Sequence, residues 1–152
     1  MTFFSGCTKV SIDDKCRMAI PKRNRDDLSV GAELVLTLDY RAECLLLYQK
    51  PEWELVIHDL KDKPREHPVY KQIFRTMVAY AMECSPDKTG RLLLPQEHRI
   101  AAEIDQSIML VGQFNKFEIW DTQRWEKEQA RLQESYAQEV HSNIDEWAKV
   151  KM

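Results

Sequence analysis

Glycine is scarce in this chain of 152 residues: Gly6, Gly31, Gly90 and Gly112 are the only four, too scattered to build a phosphate-cradling loop or a nucleophile elbow. That removes the commonest signatures of nucleotide-dependent and hydrolytic enzymes. The four cysteines, Cys7, Cys16, Cys44 and Cys84, include no Cys-x-x-Cys pair, and their spacings of 9, 28 and 40 fit neither a zinc site nor a dense disulfide framework. Reduced thiols in a cytoplasmic protein are expected. Long apolar runs are also missing, since residues 44–48 and 108–111 are strand-sized and residues 1–6 lack the basic-then-apolar pattern of a leader. Export and membrane spanning are therefore not expected. Nor is there an excess of basic charge: 22 Lys and Arg against 25 Asp and Glu give a net −3, which excludes a globally cationic nucleic-acid binder. A nucleic-acid site, if there is one, must be local.

What the chain does have is apolar content, 43% of its residues, enough for a core that needs no staples. It also has an internal repeat. Asp13-Asp14-Lys15-Cys16-Arg17-Met18-Ala19-Ile20-Pro21 is answered 74 residues later by Asp87-Lys88-Thr89-Gly90-Arg91-Leu92-Leu93-Leu94-Pro95, with Asp, Arg and Pro coincident. The offset of 74 pairs Leu28 with Ala102, Val30 with Ile104 and the apolar run at Leu34 with that at Ile108. It falls to 72 at the next turn, where Leu45 answers Phe117 and Trp53 answers Trp125.

Each copy reads as a strand, an Asp-x-x-x-Arg turn, a short strand ending at proline, a brief helix and a hairpin. Val10 and Ile12 alternate with Lys9 and Ser11, and Leu34, Leu36 and Leu38 with Val35 and Thr37, which is strand period. Pro21 and Pro95 suit the first turn of a helix. Roughly 25 residues of strand and turn cannot close a core alone, so the copies are expected to interlock with pseudo-twofold symmetry. Beyond the first copy, Trp53, Val56, Ile57 and Leu60 recur at helical spacing behind Pro51, and a second helix is expected over 69–81, after Lys63-Pro64 and His67-Pro68. Over 122–150 an amphipathic tail is expected from Trp125, Leu132, Tyr136, Val140, Ile144 and Trp147. Acidic residues outnumber basic ones there by 7 to 5 over 121–151, so its expected role is subunit packing rather than DNA contact.

The duplicated turn is the candidate site. Asp13 and Asp87 suit bracing of the turn through side-chain to backbone hydrogen bonds, which would leave Arg17 and Arg91 free to reach a ligand; arginine is the residue best matched to guanine edges and phosphate. Lys9, Lys15, Lys22, Arg23 and Arg25 surround the first turn, together with Asp14, Asp26 and Asp27; Lys88 and Arg99 lie near the second. Gly90 fits a turn position with positive φ, whereas Cys16 at the matching position carries a Cβ penalty, so turns of different shape are expected. His58 and His67 suit exposed helix or linker positions, His98 the short helix of the second copy and His141 the tail, rather than a metal site or a catalytic base, and Asp13-Asp14 and Asp26-Asp27 suit solvation better than acid-base work.

At residues 13–21, Cys44-Leu45-Leu46-Leu47-Tyr48, Pro51-Glu52-Trp53-Glu54, Glu83-Cys84 followed by 87–95, and Val111-Gly112-Gln113-Phe114-Asn115-Lys116-Phe117-Glu118-Ile119-Trp120, the sequence resembles the MraZ family of bacterial transcription factors. The resemblance covers nearly the whole chain. It implies an α+β fold of two interlocked AbrB-like swapped-hairpin repeats forming a pseudo-twofold β-barrel unit, with amphipathic helices after each repeat. The expected division is a first β repeat at 1–53, a helical connector at 54–81, a second β repeat at 82–121 and a C-terminal amphipathic helix at 122–152. The resemblance further implies a nucleoid-associated, ring-shaped homo-oligomer, an octamer or dodecamer, that binds direct repeats in the promoter of its own division and cell-wall gene cluster and represses it. On that reading Arg17, Arg91, Lys15, Lys22, Arg23 and Lys88 would contact double-stranded DNA, with Asp13, Asp87 and Gly90 bracing the turns. Cys16 departs from the family's usual glycine. No enzymatic activity, cofactor, metal or membrane partner is expected. The rival reading is an AbrB-like interaction module of antitoxin type, with DNA contact secondary.

Overall fold

The computed structural model describes residues 3–139 and 148–152. Residues up to Thr122 form one compact unit and those from Gln123 onward a second. In chain order the elements of the first unit are β1 (Cys7–Ser11), β2 (Arg17–Ala19), β3 (Leu34–Leu38), β4 (Leu45–Gln49), α1 (Lys50–Leu60), α2 (Pro68–Ile73), β5 (Met82–Cys84), β6 (Arg91–Leu93), α3 (Gln96–Ala101), β7 (Ser107–Gln113) and β8 (Lys116–Asp121); α4 (Thr122–Glu139) follows. No helix among the described residues is long and apolar enough to cross a membrane.

The strand order shows how the copies interlock. One antiparallel sheet runs β1-β7-β8-β4-β3-β5, and a separate ribbon pairs β2 with β6. Read from either end, the six-stranded order is the same with the copies exchanged, because the first strand of each copy pairs with the third strand of the other. Thus Val10 faces Ile108 while Cys84 faces Leu34. The pseudo-twofold axis passes between β4 and β8, where Leu45 faces Ile119 and Leu47 faces Phe117, and between β2 and β6, where Met18 faces Leu92. The swap buries what neither copy covers alone: Met18, Ile20, Leu92 and Leu94 from the ribbon side pack with Leu36, Leu47, Ile108, Leu110 and Phe117 from the sheet. Each such side chain contributes about 1.5–3 kcal/mol by leaving water.

The expected barrel does not form. Closing one would require ladders joining β1 to β2 and β5 to β6, and the only β1–β2 link among the described residues is the single bridge Ile12–Met18. The reason is local: each copy's first strand gives way to the Asp-x-x-x-Arg turn, which reverses the chain away from the sheet. The ribbon therefore packs on the sheet as a second layer.

Pro51 sits in the first turn of α1 and Trp53 is buried against Tyr48, at 5.4 Å between ring centroids. The second connector helix differs from the uniform helix expected over 69–81. It is α-helical only over Pro68–Ile73 and widens into a π-turn at Phe74–Val78, and β5 has begun by Met82. The Thr76 hydroxyl donates to the Gln72 carbonyl at 2.7 Å and the Thr37 hydroxyl to that of Met77, both competing for carbonyls of that helix. This packing buries Val35 and Thr37, so both faces of β3 are covered. After Pro21 the expected short helix is one 3-10 turn, Lys22–Asn24; after Pro95 it is α3. At the next matched positions, Val30 is exposed and Ile104 buried.

The second unit carries most of α4, on which Leu132 and Tyr136 are exposed. The expected tail positions Val140, Ile144 and Trp147, and His141 with them, lie outside the described residues.

Candidate nucleic-acid interface

The two Asp-x-x-x-Arg turns lie at equivalent ends of the β2–β6 ribbon, and the pairing of these strands brings them together. In the first, the Asp13 N–H donates to the Arg17 carbonyl at 3.0 Å and the Cys16 N–H to that of Asp13 at 2.9 Å; in the second the same bonds join Asp87 with Arg91 at 2.8 Å and Gly90 with Asp87 at 3.0 Å. Each aspartate also braces its turn through one carboxylate oxygen. Asp13 Oδ1 accepts the N–H groups of Lys15 and Arg17, both at 2.9 Å, and Asp87 Oδ1 accepts those of Thr89 at 2.9 Å and Arg91 at 3.0 Å. Two N–H donors on one oxygen favour the ionised carboxylate. The Arg17 N–H is the main reason that the Asp13 carboxyl lies below its ordinary range, and the Arg91 N–H, followed by the Thr89 hydroxyl, brings Asp87 down to about 2.

The turns do not differ in shape as expected. Cys16 has φ +61° and Gly90 φ +75°, so the cysteine takes the left-handed conformation in spite of its Cβ. Ribbon pairing overrides the local preference: the carbonyl of Cys16 accepts the Leu94 N–H at 2.9 Å, as that of Gly90 accepts the Ile20 N–H at 3.0 Å.

Arg17 and Arg91 are not free side chains. Arg17 Nε donates to Asp13 Oδ2 at 3.0 Å, Arg91 Nη1 reaches the same oxygen at 3.4 Å, Arg91 Nε lies 3.5 Å from Asp87 Oδ2, and Arg17 Nη1 lies 3.9 Å from it. Two guanidinium and two carboxylate groups thus alternate around a closed ring that crosses the pseudo-twofold axis. Arg91 Nε also donates to Thr89 Oγ1 at 2.8 Å, a contact for which Lys15 at the matching position has no counterpart acceptor. The side chains of Arg17 and Arg91 are 24% and 35% exposed, within reach of a ligand on the outer surface. The ring sums to zero charge, so the attraction of this surface for a polyanion falls to its neighbours.

Those neighbours divide. Lys15, Lys22 and Lys88 are exposed on the turns and the 3-10 segment. Arg23, also exposed, lies along the start of β1, donating to Thr8 Oγ1 and occupying the space a side chain at Gly6 would take. Two arginines outside the expected set are held against the ends of the ribbon strands. Arg25 Nε donates to the Ile20 carbonyl at 3.3 Å and Arg99 Nε to the Leu94 carbonyl at 2.9 Å, and Arg25 Nε lies 3.9 Å from where a Cβ on Gly90 would stand. These arginines are 74 residues apart and each bonds the carbonyl five residues before it. That shared offset was the sequence signal for them. His98 is buried in α3, its Nε2–H donating to the Tyr80 carbonyl at 2.7 Å. Among the described residues no three His, Cys, Asp or Glu side chains converge as a metal site would require.

A swapped, duplicated β unit presenting twinned Asp-x-x-x-Arg turns defines a class of AbrB-like proteins. The family model described as "MraZ protein, putative antitoxin-like" matches residues 3–75 and again 77–146. The chain is 39% identical over 145 residues to the transcriptional regulator MraZ of Erwinia tasmaniensis, covering 94% of this chain and 88% of that protein. It is 39% identical over 145 residues to that of Escherichia fergusonii, covering 94% and 95%, and 44% identical over 133 residues to that of Shewanella halifaxensis, covering 85% and 88%. The chain belongs to the MraZ family, and as such is not an enzyme.

Proposed function

We propose that this protein is a sequence-specific DNA-binding regulator of transcription that represses the division and cell-wall gene cluster containing its own gene. The observation that carries this reading is the joining of two Asp-x-x-x-Arg turns, four matched charged side chains, on one surface of a chain whose relatives are named transcriptional regulators. Arg17 and Arg91 read base edges, Lys15, Lys22, Lys88 and Arg23 hold phosphates, and Arg25 and Arg99 join them. Asp13, Asp87 and Gly90 set the turns. A chain of net −3 binds a single site weakly, so useful affinity comes from several subunits engaging direct repeats together in a ring-shaped homo-oligomer, an octamer or dodecamer, in the cytoplasm and on the nucleoid.

Fluorescence anisotropy with a duplex from immediately upstream of the gene, beside a shuffled duplex at two salt concentrations, tests the reading. The wild type should prefer the upstream duplex by about tenfold or more, and the Arg17→Ala, Arg91→Ala pair should lose that preference, at about 1–3 kcal/mol per bidentate contact. Equal, weak binding of both duplexes by both proteins would replace this reading with the interaction module of antitoxin type. The exposed Leu132 and Tyr136 of α4 could meet another subunit or a different protein, and light scattering separates these: a large homo-oligomer supports the regulator, a monomer or a heterocomplex the second reading.

A further inference from the structure

Asp13 stands at the centre of the four-charge ring. Its Oδ1 takes the two backbone N–H groups of its own turn, and its Oδ2 takes a guanidinium nitrogen from each copy, Arg17 Nε at 3.0 Å and Arg91 Nη1 at 3.4 Å. Asp87 does less across the axis: its Oδ2 stands 3.9 Å from Arg17 Nη1, and Thr89 Oγ1 intervenes as the acceptor for its own Arg91 Nε. We infer that Asp13 is a positioning residue for both arginines, holding the guanidinium groups of the two copies in one fixed arrangement and withholding their charge from any duplex that lacks matching acceptors. This deepens the DNA-binding reading above and rests on it.

The physical argument is one of selectivity. A free guanidinium on a long side chain binds any phosphate, whereas one held at Nε and faced at Nη1 by side-chain oxygens, as Arg17 is by Asp13 and Asp87 and Arg91 is by Thr89 and Asp13, presents chiefly its remaining N–H edge, in a fixed direction. Two such edges fixed relative to one another recognise a spacing as well as a base. The carboxylate between them also repels a backbone phosphate placed where a base edge belongs. Asp13 therefore lowers non-specific affinity while raising discrimination, and its effect passes through Arg91, 78 residues away in sequence.

Asp13→Asn isolates this role. Asparagine keeps an oxygen to accept the Lys15 and Arg17 N–H groups, so the turn survives, but it removes the charge at the oxygen shared by the two arginines. Two readouts on the full-length protein decide the matter: side-chain NMR of the Arg91 Nε–Hε and Nη groups without DNA, and anisotropy against the upstream and shuffled duplexes. The expected result is a shifted Arg91 signal with faster guanidinium rotation, a few-fold rise in affinity for the shuffled duplex, and a fall of about fivefold or more in preference for the upstream one. Asp87→Asn should change preference less. An unmoved Arg91 signal would overturn the inference, as would a moved signal with unchanged preference, or equal weakening on both duplexes, which is what loss of structure alone produces. If the wild type shows no preference, the DNA-binding reading itself fails and this inference with it, whatever the NMR shows.

Discussion

The two copies share a backbone plan and differ in what surrounds it. At the turn, Cys16 and Gly90 occupy the same left-handed position, but only glycine does so without a Cβ penalty. Around it, Lys9, Lys15, Lys22 and Arg23 of the first copy stand where the second has Glu83, Thr89, Gln96 and Glu97. In the sheet, the matched residues Leu38 and Gly112 part for a steric reason: the chain at Ser5 crosses so close to Gly112 that a Cβ there would lie 2.3 Å from the Ser5 nitrogen. The hairpin strands differ as well, Phe117 standing where the first copy has Leu45 and stacking on Phe4 at 4.4 Å. The first copy has the more basic surface, and the second fits the chain's N-terminal segment. Pseudo-symmetry thus fixes the core and leaves the periphery of each copy to specialise.

Exchanging residues between copies breaks or sharpens this comparison. The largest effect is expected for Gly112→Leu, the first copy's residue: the backbone at Ser5 cannot give way as a flexible side chain would, and unfolding stability should fall by about 3 kcal/mol, read by denaturant titration. A loss below about 1 kcal/mol would mean that residues 4–6 detach from β7 at little cost. The reverse exchange, Cys16→Gly, should stabilise by about 0.5–1 kcal/mol, the relief of the left-handed Cβ less the added freedom of glycine when unfolded. No gain would show that the cysteine's packing offsets its backbone strain.

The acid limb of unfolding separates the turns further. Asp87 ionises at about 2 in the folded protein against an ordinary 3.8, so its stabilising contribution is present above about pH 4 and is lost as the pH falls towards 2. Asp87→Asn should flatten that stretch of the acid-unfolding curve, and Asp13→Asn should act in the same direction, since its carboxyl is lowered too. An unaltered curve would assign the acid sensitivity to other carboxylates. The smallest effect is expected for Lys15→Thr, which gives the first turn the second's residue. It should leave stability unchanged and lower the salt dependence of DNA binding by about one unit of slope, with base preference kept.

Much of this molecule was legible as local pattern. The repeat offset marked the matched turns, alternation marked β1 and β3, and the prolines marked the starts of α1 and α3. The positive φ expected at Gly90 is present, but the different shape expected at Cys16 is not, because the bond from the Leu94 N–H to its carbonyl enforces the shared geometry from outside the turn. The π-turn at Phe74–Val78 left no periodic trace, since it depends on Thr76 beside its own helix and on Thr37 from a distant strand. The contact of Arg17 with Asp13 lies within one turn, but the links from Arg91 to Asp13 and from Arg17 to Asp87 join the two copies, and no spacing within a turn encodes them.

What the sequence by itself determined is the inventory: two copies, the strands and turns in each, and the residues able to meet an anion. These follow from steric and periodic preferences that act within a few residues. That the copies interlock was expected; the tertiary structure alone decided that the first strand of each pairs with the third of the other, that the resulting layers stay open, and that Asp13 faces Arg91 as well as Arg17. Those outcomes depend on which buried surfaces meet across more than 70 residues of chain, and no local preference encodes that choice.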